Sequence, residues 1–461
     1  MISPQELIDR VLAAASFDDC FVIVQDSTEA NLRWANNTLT TNGTMAKRDV
    51  TVIAFVAVDG GMAAGTASRT DLTLDEIPTI LKEAETAARA AGAADDAAPL
   101  LTSSSHGDWN ADQHLTGPNV FANITQPLGD MLKRAAADDI ELFGYAEHRV
   151  TSAWMGSSGG VRVRLDQPVG RIEMTGKSEQ RQRSTWEGRA TSDFTNIDIA
   201  EVDNAIRTKL AWQARRIELP PGRYDTVAPS GVVADLMTYA LWLADARSAM
   251  EGRSAYADKT THAPRLGEQI ASLPLNLRFD PSDARVPGSP VIMTTASSPF
   301  SSVFDNGQRR TAHHMFKDGV LESLIHTRAT ATKYDHTFTP MPDNAIIEAP
   351  GGSGSALDLV KGVENGLLLN TMWYIRMVDP STMLLTGLTR DGIYQIRNGE
   401  VVGAVNNFRW NESPLGLLSR LTAVGSPEHT QPREWAGDID RMFTPAMRFA
   451  DFNMSTVSPG N

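Results

Sequence analysis

Residues 230–244 read SGVVADLMTYALWLA, a segment in which apolar residues occupy nearly every side of a helix. A helix that is apolar almost all round is buried on most of its faces, so other elements of the fold must cover it. Ser230 stands at the start of the segment, where a serine side chain can cap the first turn. The segment therefore predicts a buried helix inside a domain.

Downstream of this helix the sequence changes to short runs typical of strands. These runs are VIMTT from Val291, GVLESLIHT from Gly319, AIIEA from Ala345, LLLNTMWYIRM from Leu367, IYQI from Ile393 and EVVGAV from Glu400. The last two are joined by Arg397, Asn398 and Gly399, and Asn-Gly between apolar strands is a strong signal for a tight hairpin. We therefore expect a C-terminal, β-rich domain over residues 221–461, built around the buried helix.

Upstream, residues 1–220 predict an N-terminal domain in which one pattern occurs twice. Residues 1–95 contain a helix, extended segments and a second helix that begins at a capping box of Thr73 and Glu76. The extended segments are FVIV from Phe21, LRWANNTL from Leu32 and VTVIAFVAV from Val50. A similar order recurs roughly 124 residues later, over residues 119–216, with extended segments IELFGYAEH, VRVRL and RIEMTG. The chain is therefore expected to be α+β, with a duplicated helix-plus-antiparallel-sheet unit in its N-terminal domain.

Composition narrows the class of protein. The formal net charge of −14 opposes nucleic-acid binding, because affinity for phosphates depends on Lys and Arg. No run of about 18 apolar residues predicts a membrane span, and the N-terminus MISPQELIDR lacks the features of a secretory signal. Cys20 is the only cysteine, so no intramolecular disulfide can form, which is typical of a reducing compartment. We expect a cytoplasmic protein without nucleic-acid or membrane partners.

Three segments of the C-terminal half point to a known family. They are SAYADKTTHAPRLGEQIAS at residues 254–272, FDNGQRRTAHHMFKDGVLESLIHTRATATKY at residues 304–334, and APGGSGSALDLVKGVENGLLL at residues 349–369 followed by GLTRDGIYQIRNGEVVGAV at residues 387–405. In the second segment the family's pattern is matched at Asp305, Gly307, Arg310, Asp318, Gly319, Val320 and Leu321. The order and spacing of the segments resemble the TldD/PmbA family, also called modulators of DNA gyrase, over roughly residues 225–425.

The resemblance implies where a zinc site could lie. Family members of the TldD type are metallopeptidases in which a His-Glu-x-x-x-His helix and a later cysteine hold zinc, which activates water. In register with that helix, Asp235 and Ala240 stand at the histidine positions and Leu236 at the glutamate position. None of the nine histidines is followed by Glu, and Cys20 lies in the other predicted domain. The chain therefore resembles the TldE (PmbA) type of subunit, which lacks the zinc motif and pairs with a TldD-type subunit.

The same resemblance implies a function. We expect a non-catalytic subunit of a cytoplasmic TldD/TldE-type metallopeptidase complex that processes or degrades unfolded peptides, with no catalytic residue, metal ligand or cofactor in this chain and zinc only in the partner. The expected assembly is a heterodimer or higher oligomer, and the isolated chain can also form a homodimer. Candidate contacts with the partner or the peptide are Arg253, which directly precedes the first matched segment, and Ser254, Arg310, His313 and His314, which lie within the matched segments. A peptide could dock as an added strand on an exposed sheet edge.

Two other functions stay open from the residues alone. One is an independent metal-dependent hydrolase with a site built from scattered residues such as His313, His326 and Asp335. His313 and His314 are neighbours on a predicted strand, so their side chains point to opposite faces and cannot easily share a metal. The other is a homodimeric peptide-binding scaffold protein without catalysis. Metal content distinguishes the hydrolase from a zinc-free subunit, and native mass distinguishes the scaffold from an obligate heteromer.

Overall fold

Two sheets organise the chain, one with seven strands and one with twelve. The computed structural model describes residues 2–458, and their fold is mixed α+β, as the sequence predicts. Residue 1 and residues 459–461, which the predicted domains 1–220 and 221–461 include, lie outside the described residues. Every helix within residues 2–458 is too short or too polar to cross a bilayer.

The seven-stranded sheet lies in the N-terminal part of the chain and curls into a half-barrel. Its strands are β1 (Asp19–Ala35), β2 (Thr38–Val58), β3 (Gly61–Thr70), β4 (Ser105–His106), β5 (Glu141–Ser157), β6 (Arg162–Ser178) and β7 (Arg183–Thr191). The accompanying helices are α1 (Pro4–Ala14), α2 (Ile77–Ala91), α3 (Ala122–Ala137) and α4 (Ile199–Trp212). The spatial order is β3-β2-β1-β5-β6, with both β4 and β7 paired to β6. Helix, three antiparallel strands and helix thus occur in this order twice, with β1 and β5 paired at the centre.

The two faces of this sheet differ. On one face, Val52 and Trp154 belong to a buried cluster with α1 and α2, and Ile172 belongs to a second cluster with α3 and α4. Side chains of successive strand residues alternate between the faces, so the other face carries Phe55, whose ring packs on Phe304 of the C-terminal half at a centroid distance of 5.0 Å. The half-barrel is therefore covered by helices on one face and meets the rest of the chain on the other.

The strands of this sheet differ in extent from the predicted segments. LRWANNTL is not one strand, because Asn36 and Asn37 both have positive φ and turn the chain from β1 into β2. VRVRL and RIEMTG lie on a single strand, β6. The sequence pattern does not predict β3, because its residues GMAAGTASRT are small and only weakly apolar.

The twelve-stranded sheet lies in the C-terminal part of the chain. Its strands are β8 (Arg216–Ile217), β9 (Gly222–Ala228), β10 (Asn276–Phe279), β11 (His313–Lys317), β12 (Val320–Leu321), β13 (Ala345–Glu348), β14 (Asn365–Asp379), β15 (Leu384–Arg397), β16 (Glu400–Val405), β17 (Phe408–Glu412), β18 (Leu421–Thr430) and β19 (Met442–Val457). The helices are α5 (Ser230–Trp242), α6 (Ala246–Met250), α7 (Arg328–Tyr334), α8 (Ala356–Val360) and α9 (Pro414–Leu418). Five strands, β9, β14, β15, β17 and β19, pair in a closed ring and form a barrel. α5 is buried along nearly its whole length against this sheet, as its composition predicts.

The predicted hairpin is confirmed. β15 and β16 pair antiparallel around Asn398 and Gly399, and both residues have the positive φ that a tight hairpin turn requires. The segment VIMTT, in contrast, forms no strand, because Val291 makes only an isolated bridge to Arg309. Strand propensity in that segment is not matched by a partner strand, and the backbone passes as a loop.

The predicted cap of α5 is wrong. Ser230 is the first residue of the helix, and Pro229 takes the capping position before it. The Ser230 hydroxyl donates a hydrogen bond to the Glu428 carboxylate on β18, so it connects the start of the helix to the sheet instead of closing its first turn.

Gly65 on β3 allows α2 to lie directly against the sheet. A Cβ atom at this position would meet the backbone N of Ala88 at 2.1 Å and the carbonyl O of Ala84 at 2.5 Å. We expect Gly65→Ala to lower the free energy of unfolding by about 1–3 kcal/mol, the range for overpacked cores. Gly129→Ala on α3 is the matched control, since nothing lies within 4 Å of its Cβ position and alanine is favoured over glycine in helices by about 1 kcal/mol. Thermal unfolding of both variants measures the difference, and a Gly65→Ala variant as stable as the wild type would contradict this packing.

Candidate functional site

Asp235 lies on α5 with its side chain fully buried. Its carboxylate accepts three backbone hydrogen bonds, from the N–H groups of Arg433 at 3.2 Å, Glu434 at 3.0 Å and Trp435 at 3.1 Å. A buried carboxylate is costly unless donors satisfy it, and these three N–H groups supply them. The carboxylate therefore holds the chain around residues 433–435 against the side of the helix.

The protonation of Asp235 is set by two opposing effects. Burial disfavours the charged form and raises the pKa of Asp235 to about 8, with a further contribution from the nearby charge of Glu434. The three N–H groups favour the charged form and oppose this rise. The carboxyl group consequently changes charge near neutral pH, which is unusual for an aspartate.

The other two positions of the expected zinc helix carry no donor for a metal. Leu236 and Ala240 are buried in the apolar core around α5. Cys20 lies on β1 in the other sheet, where burial raises the pKa of its thiol to about 12 and keeps it protonated. Zinc in proteins is held by thiolate, imidazole and carboxylate ligands, and Asp235 is already engaged by three N–H groups. The side chains at these positions therefore do not fit a zinc ion.

The rest of the described chain offers no other group of metal ligands. Across residues 2–458, no three or more His, Cys, Asp or Glu side chains are grouped so that they could hold a metal ion. The residues of the independent hydrolase hypothesis are only partly together. His326 and His336 stack with ring centroids 5.1 Å apart and border a cavity of about 380 Å³ with His313 and His314. Asp335 is not among the residues that line this cavity. It ends α7 in the left-handed conformation.

A second cavity, of about 320 Å³, opens beside the N-terminal end of α5. We call it the cleft, because residues of both sheets line it. Its walls include Trp186, Lys209, Ser230, Asp235, Asn370 and Gln431. Trp186 belongs to β7 of the N-terminal sheet, whereas Asn370 belongs to β14 of the C-terminal sheet. Asp235 thus connects the helix of the expected metal site to a space between the two halves of the chain.

A charge cluster around the buried Glu187 forms part of the cleft wall. Glu187 on β7 forms ion pairs with Lys209 on α4 and with Arg189 at 2.6 Å. Burial alone would raise the pKa of Glu187, but the two cations and their hydrogen bonds outweigh that effect and lower it. Lys209 Nζ also donates to Asn370 Oδ1 at 2.5 Å, so the cluster ties the two sheets together.

Residues 431–441, which we call the strap, connect β18 to β19 of the C-terminal sheet and contact the N-terminal sheet on the way. Gln431 Nε2 donates to Glu173 on β6 at 3.4 Å, and Asp440 pairs with Arg149 on β5 at 3.5 Å. Between them, the Arg433 guanidinium stacks over the rings of Trp186 and Trp373, 5.2 Å from each centroid. Because Asp235 binds the backbone of the strap, the carboxylate fixes the segment that joins the two halves at the cleft.

β7 presents to the cleft an edge that no described strand covers, although side chains occupy part of it, since Lys209 Nζ donates to the carbonyl of Trp186 at 3.4 Å. Among the described strands it pairs only with β6. The N–H of Ser184 donates to Gln213 Oε1 at 3.1 Å and its carbonyl accepts from Gln213 Nε2 at 2.8 Å, so the backbone groups of Ser184 point away from β6. Alternate strand residues point the same way, which places the backbone groups of Trp186 and Gly188 on the cleft side. One wall of the cleft is therefore a strand edge.

Two predicted contact residues lie shortly after α6 in the chain. Arg253 is exposed and its Nε donates to Glu251 at 3.2 Å. Ser254 is buried, and its hydroxyl donates to the carbonyl of Leu243 at 3.3 Å. Of the two, Arg253 has a guanidinium that a partner can reach. Its role in binding stays a prediction.

The other three predicted contact residues lie near β11. Arg310 donates to three carbonyl oxygens, those of Ser289, Val291 and Met341, and so joins loops within the chain. His313 packs on Phe279 with ring centroids 5.0 Å apart, and His314 lies 3.9 Å from Glu322. The structure places these residues away from the cleft lining, and binding by them also stays a prediction.

Two family models match the sequence. Residues 221–456 match the PmbA/TldA metallopeptidase C-terminal domain, and residues 20–91 match the PmbA/TldA metallopeptidase domain 1. The chain belongs to the PmbA/TldD metallopeptidase family. The resemblance recognised in residues 225–425 is therefore confirmed, and the family extends to β1–β3 of the N-terminal sheet. None of the curated proteins matches the sequence.

Solved structures of PmbA/TldD relatives share the fold. TldE from Thermococcus kodakarensis has 14% sequence identity and a TM-score of 0.75, with 97% of this chain and 99% of that chain covered. A proposed modulator of a DNA gyrase from Thermotoga maritima has 16% identity and a TM-score of 0.72, with 98% and 100% covered. A proposed modulator of DNA gyrase from Bacteroides thetaiotaomicron has 16% identity and a TM-score of 0.73, with 98% and 99% covered. At these identities the likeness establishes the fold.

Within the PmbA/TldD fold, the sequence locates Asp235 on the buried helix but does not identify its partners. A lone carboxylate in an apolar helix does signal that donors must surround it. However, Trp435 lies 200 residues downstream, and no local spacing connects it to the helix. The strap and the cleft are therefore the features that only the structure reveals.

The raised pKa of Asp235 makes the stability of the chain depend on pH. Between the unfolded pKa of about 3.9 and the folded value of about 8, the folded chain keeps a proton that the unfolded chain releases. The free energy of unfolding should therefore fall as pH rises from 5 to 8 through this group. We expect Asp235→Asn to remove that part of the dependence, and Asp9→Asn, at an exposed position on α1, to leave it intact. Denaturant unfolding at several pH values measures it, and parallel pH profiles for wild type and Asp235→Asn would contradict the assignment.

Proposed function

We propose that this chain is the non-catalytic, TldE-like subunit of a cytoplasmic TldD/TldE-type metallopeptidase complex, which processes or degrades unfolded peptides. The contact that supports this most directly joins Asp235 to the N–H groups of residues 433–435. Where a zinc peptidase of the family has a histidine, this chain uses a carboxylate to hold its own strap. A helix used in this way leaves no open coordination position at which water could be activated.

In this proposal the zinc is held by a separate TldD-like subunit and not by this chain. TldE from Thermococcus kodakarensis shares the fold over nearly the whole length of both chains. A TldE-like subunit pairs with a TldD-like subunit that carries the zinc, so this chain contributes surface and shape to a shared chamber.

The cleft is the part of this chain best suited to a peptide. An extended peptide can pair with the cleft-side edge of β7 through its backbone, and such pairing depends little on side chains. The charge cluster of Glu187 and Lys209 is already satisfied internally, so it does not demand a particular charge in the peptide. This suits unfolded peptides of varied sequence as the substrate class.

The two alternatives have less support. The independent hydrolase needs a cluster of metal ligands, and the histidines that border one cavity form no such cluster within residues 2–458. A homodimeric scaffold without catalysis shares the absence of a metal site with the leading proposal. The two differ in whether a TldD-like partner joins the chain, and native mass in the presence of that partner distinguishes them.

The isolated chain is expected to contain substoichiometric zinc and to show no chelator-sensitive peptidase activity, because α5 offers no ligand set. Mixed with a TldD-like subunit, it should form a complex that cleaves unfolded peptides. Elemental analysis and cleavage of an unfolded reporter peptide measure both properties. The matched control replaces the glutamate of the partner's His-Glu-x-x-x-His helix with glutamine, which should abolish cleavage while leaving the complex intact. Chelator-sensitive cleavage by the isolated chain would contradict the proposal.

Peptide binding in the cleft is expected to depend on backbone N–H groups. A seven-residue, end-capped peptide with two consecutive central N-methyl groups cannot complete a strand pairing on either edge. Only one of the two methylated N–H groups faces β7, and losing that hydrogen bond, worth about 1 kcal/mol, should weaken binding roughly fivefold. The matched control is an unmethylated peptide of scrambled sequence, which should bind within about threefold of the original. Fluorescence anisotropy measures the affinities, and equal binding of the methylated peptide would exclude strand addition on β7.

A further inference from the structure

Another cavity, of about 440 Å³, lies between the two halves of the chain, and we call it the basic pocket. Its walls come from residues 164–169 of β6, from residues 284–290 between β10 and β11, and from Asp440 and Arg441 at the end of the strap. His429 on β18 borders both this pocket and the cleft, so the two cavities adjoin. Its volume is typical of small-ligand sites, which span about 300–1,000 Å³.

Three guanidinium groups reach the walls of the basic pocket, and one of them is weakly held. Arg164 and Arg285 each donate a hydrogen bond to a nearby aspartate at 2.6 Å. Arg441 Nη1, in contrast, lies 3.6 Å from the carboxylate of Asp343, which is longer than a hydrogen bond. The Arg441 side chain is only 15% exposed. Its N–H groups therefore border the pocket with a loose ionic partner and little access to bulk water.

The positive charge around Arg441 is not fully offset. Burial lowers the pKa of Arg310, the charge of Asp343 opposes that change, and the charge of Arg441 adds to it. Arg310 and Arg441 therefore share one carboxylate. Asp440, which follows the strap to Arg441, pairs with Arg149 at 3.5 Å. An excess of positive charge thus remains beside the pocket, although the chain as a whole has a net charge of −14.

Two imidazole rings add hydrogen-bond donors to the pocket. Burial and the charge of Arg441 lower the pKa of His429, and burial and the charge of Arg309 lower the pKa of His106 on β4. Both rings are consequently neutral at pH 7, and a neutral imidazole donates one N–H. Within residues 2–458 neither ring forms a hydrogen bond, so each N–H can be donated to a ligand in the pocket.

We propose that the basic pocket binds the carboxylate group of a ligand, with Arg441 as its ionic partner and His429 as a hydrogen-bond donor. A guanidinium presents paired N–H groups that match the two oxygens of a carboxylate. Asp166 and Asp440 also line the pocket, so a singly charged carboxylate suits it better than a doubly charged phosphate.

Two sources supply this chemistry. One is the C-terminus of a peptide that lies in the adjoining cleft, and the other is a small free carboxylic acid. Only the first source rests on the proposed function. The pocket itself needs neither zinc nor a TldD-like subunit, because all of its walls belong to this chain. It can therefore be tested with the isolated chain, and its failure would leave the proposed subunit role untouched.

Binding of acetyl-triglycine to the full chain is the first test, measured by NMR titration of the histidine rings. Its C-terminal carboxamide is the matched probe, and strand pairing in the cleft is equally available to both. The carboxamide should bind at least tenfold more weakly, because it cannot make the charge-assisted hydrogen bonds of the acid. Equal binding of the two probes, or tighter binding of inorganic phosphate than of either acid, overturns the proposal.

Succinate, titrated in the same way, distinguishes the two sources. Tighter binding of acetyl-triglycine than of succinate supports a peptide C-terminus as the ligand. Tighter binding of succinate supports a small free acid. Failure of both acids to bind overturns the proposal.

A charge-neutral variant locates the site. Arg441→Gln should weaken binding of acetyl-triglycine at least tenfold, because the carboxylate loses its ionic partner. Arg247→Gln is the matched control, since it removes the same charge from an exposed position on α6 and should bind within about threefold of the wild type. Circular dichroism confirms that both variants are folded. Equal losses in the two variants, or no loss in Arg441→Gln, overturns the proposal.

The wild-type spectra keep the proposal testable even if Arg441→Gln does not fold. The ring resonances of His429, assigned with His429→Gln, should shift on addition of acetyl-triglycine and not on addition of its carboxamide. The ring of His148 is the internal control, because Thr116 and the carbonyl of Ser192 both hold it at 2.7 Å. A His429 ring that does not respond to the acid, or one that responds equally to the carboxamide, overturns the proposal.

Discussion

The buried carboxylate of Asp235 imposes the main constraint on the C-terminal half of the chain. An aspartate inside an apolar helix is unfavourable unless donors reach it, and here a stretch of backbone laid across the carboxylate brings three N–H groups to it. Residues 433–435 provide that stretch. The expected zinc helix, α5, therefore holds the backbone of the strap in this chain.

The consequences of this contact reach the N-terminal half. Once the backbone of the strap is fixed on α5, the Arg433 side chain lies between Trp186 of the N-terminal sheet and Trp373 of the C-terminal sheet. The same stretch places Gln431 beside Glu173 and Asp440 beside Arg149. A single buried acid thus positions the strap, whose side chains contact both sheets at the cleft. A change in the charge of Asp235 would therefore affect the contacts between the two halves.

What the sequence predicts correctly here depends on local or strongly periodic signals. The all-round apolar character of residues 230–244 predicts the burial of α5, and Asn398 with Gly399 predicts the hairpin, because both are decided by residues close in the chain. The long strands β1 and β6 are predicted only in pieces, since polar residues interrupt the apolar pattern in the middle of each strand while pairing continues, at residues 25–31 of β1 and 166–168 of β6. The strap is not predicted, because its partner on α5 is about 200 residues away in sequence.

The half-barrel also explains why strand edges matter in this fold. A closed barrel has no edges, as in the ring of β9, β14, β15, β17 and β19, whereas a curled open sheet must end on two sides. On one side β7 ends inside the cleft, where the C-terminal sheet and the strap shield it from other chains. On the other side β3 covers only part of β2, and residues 38–47 remain in solvent. The two edges therefore differ in exposure: the edge of β7 lies inside the cleft, whereas the open end of β2 faces solvent.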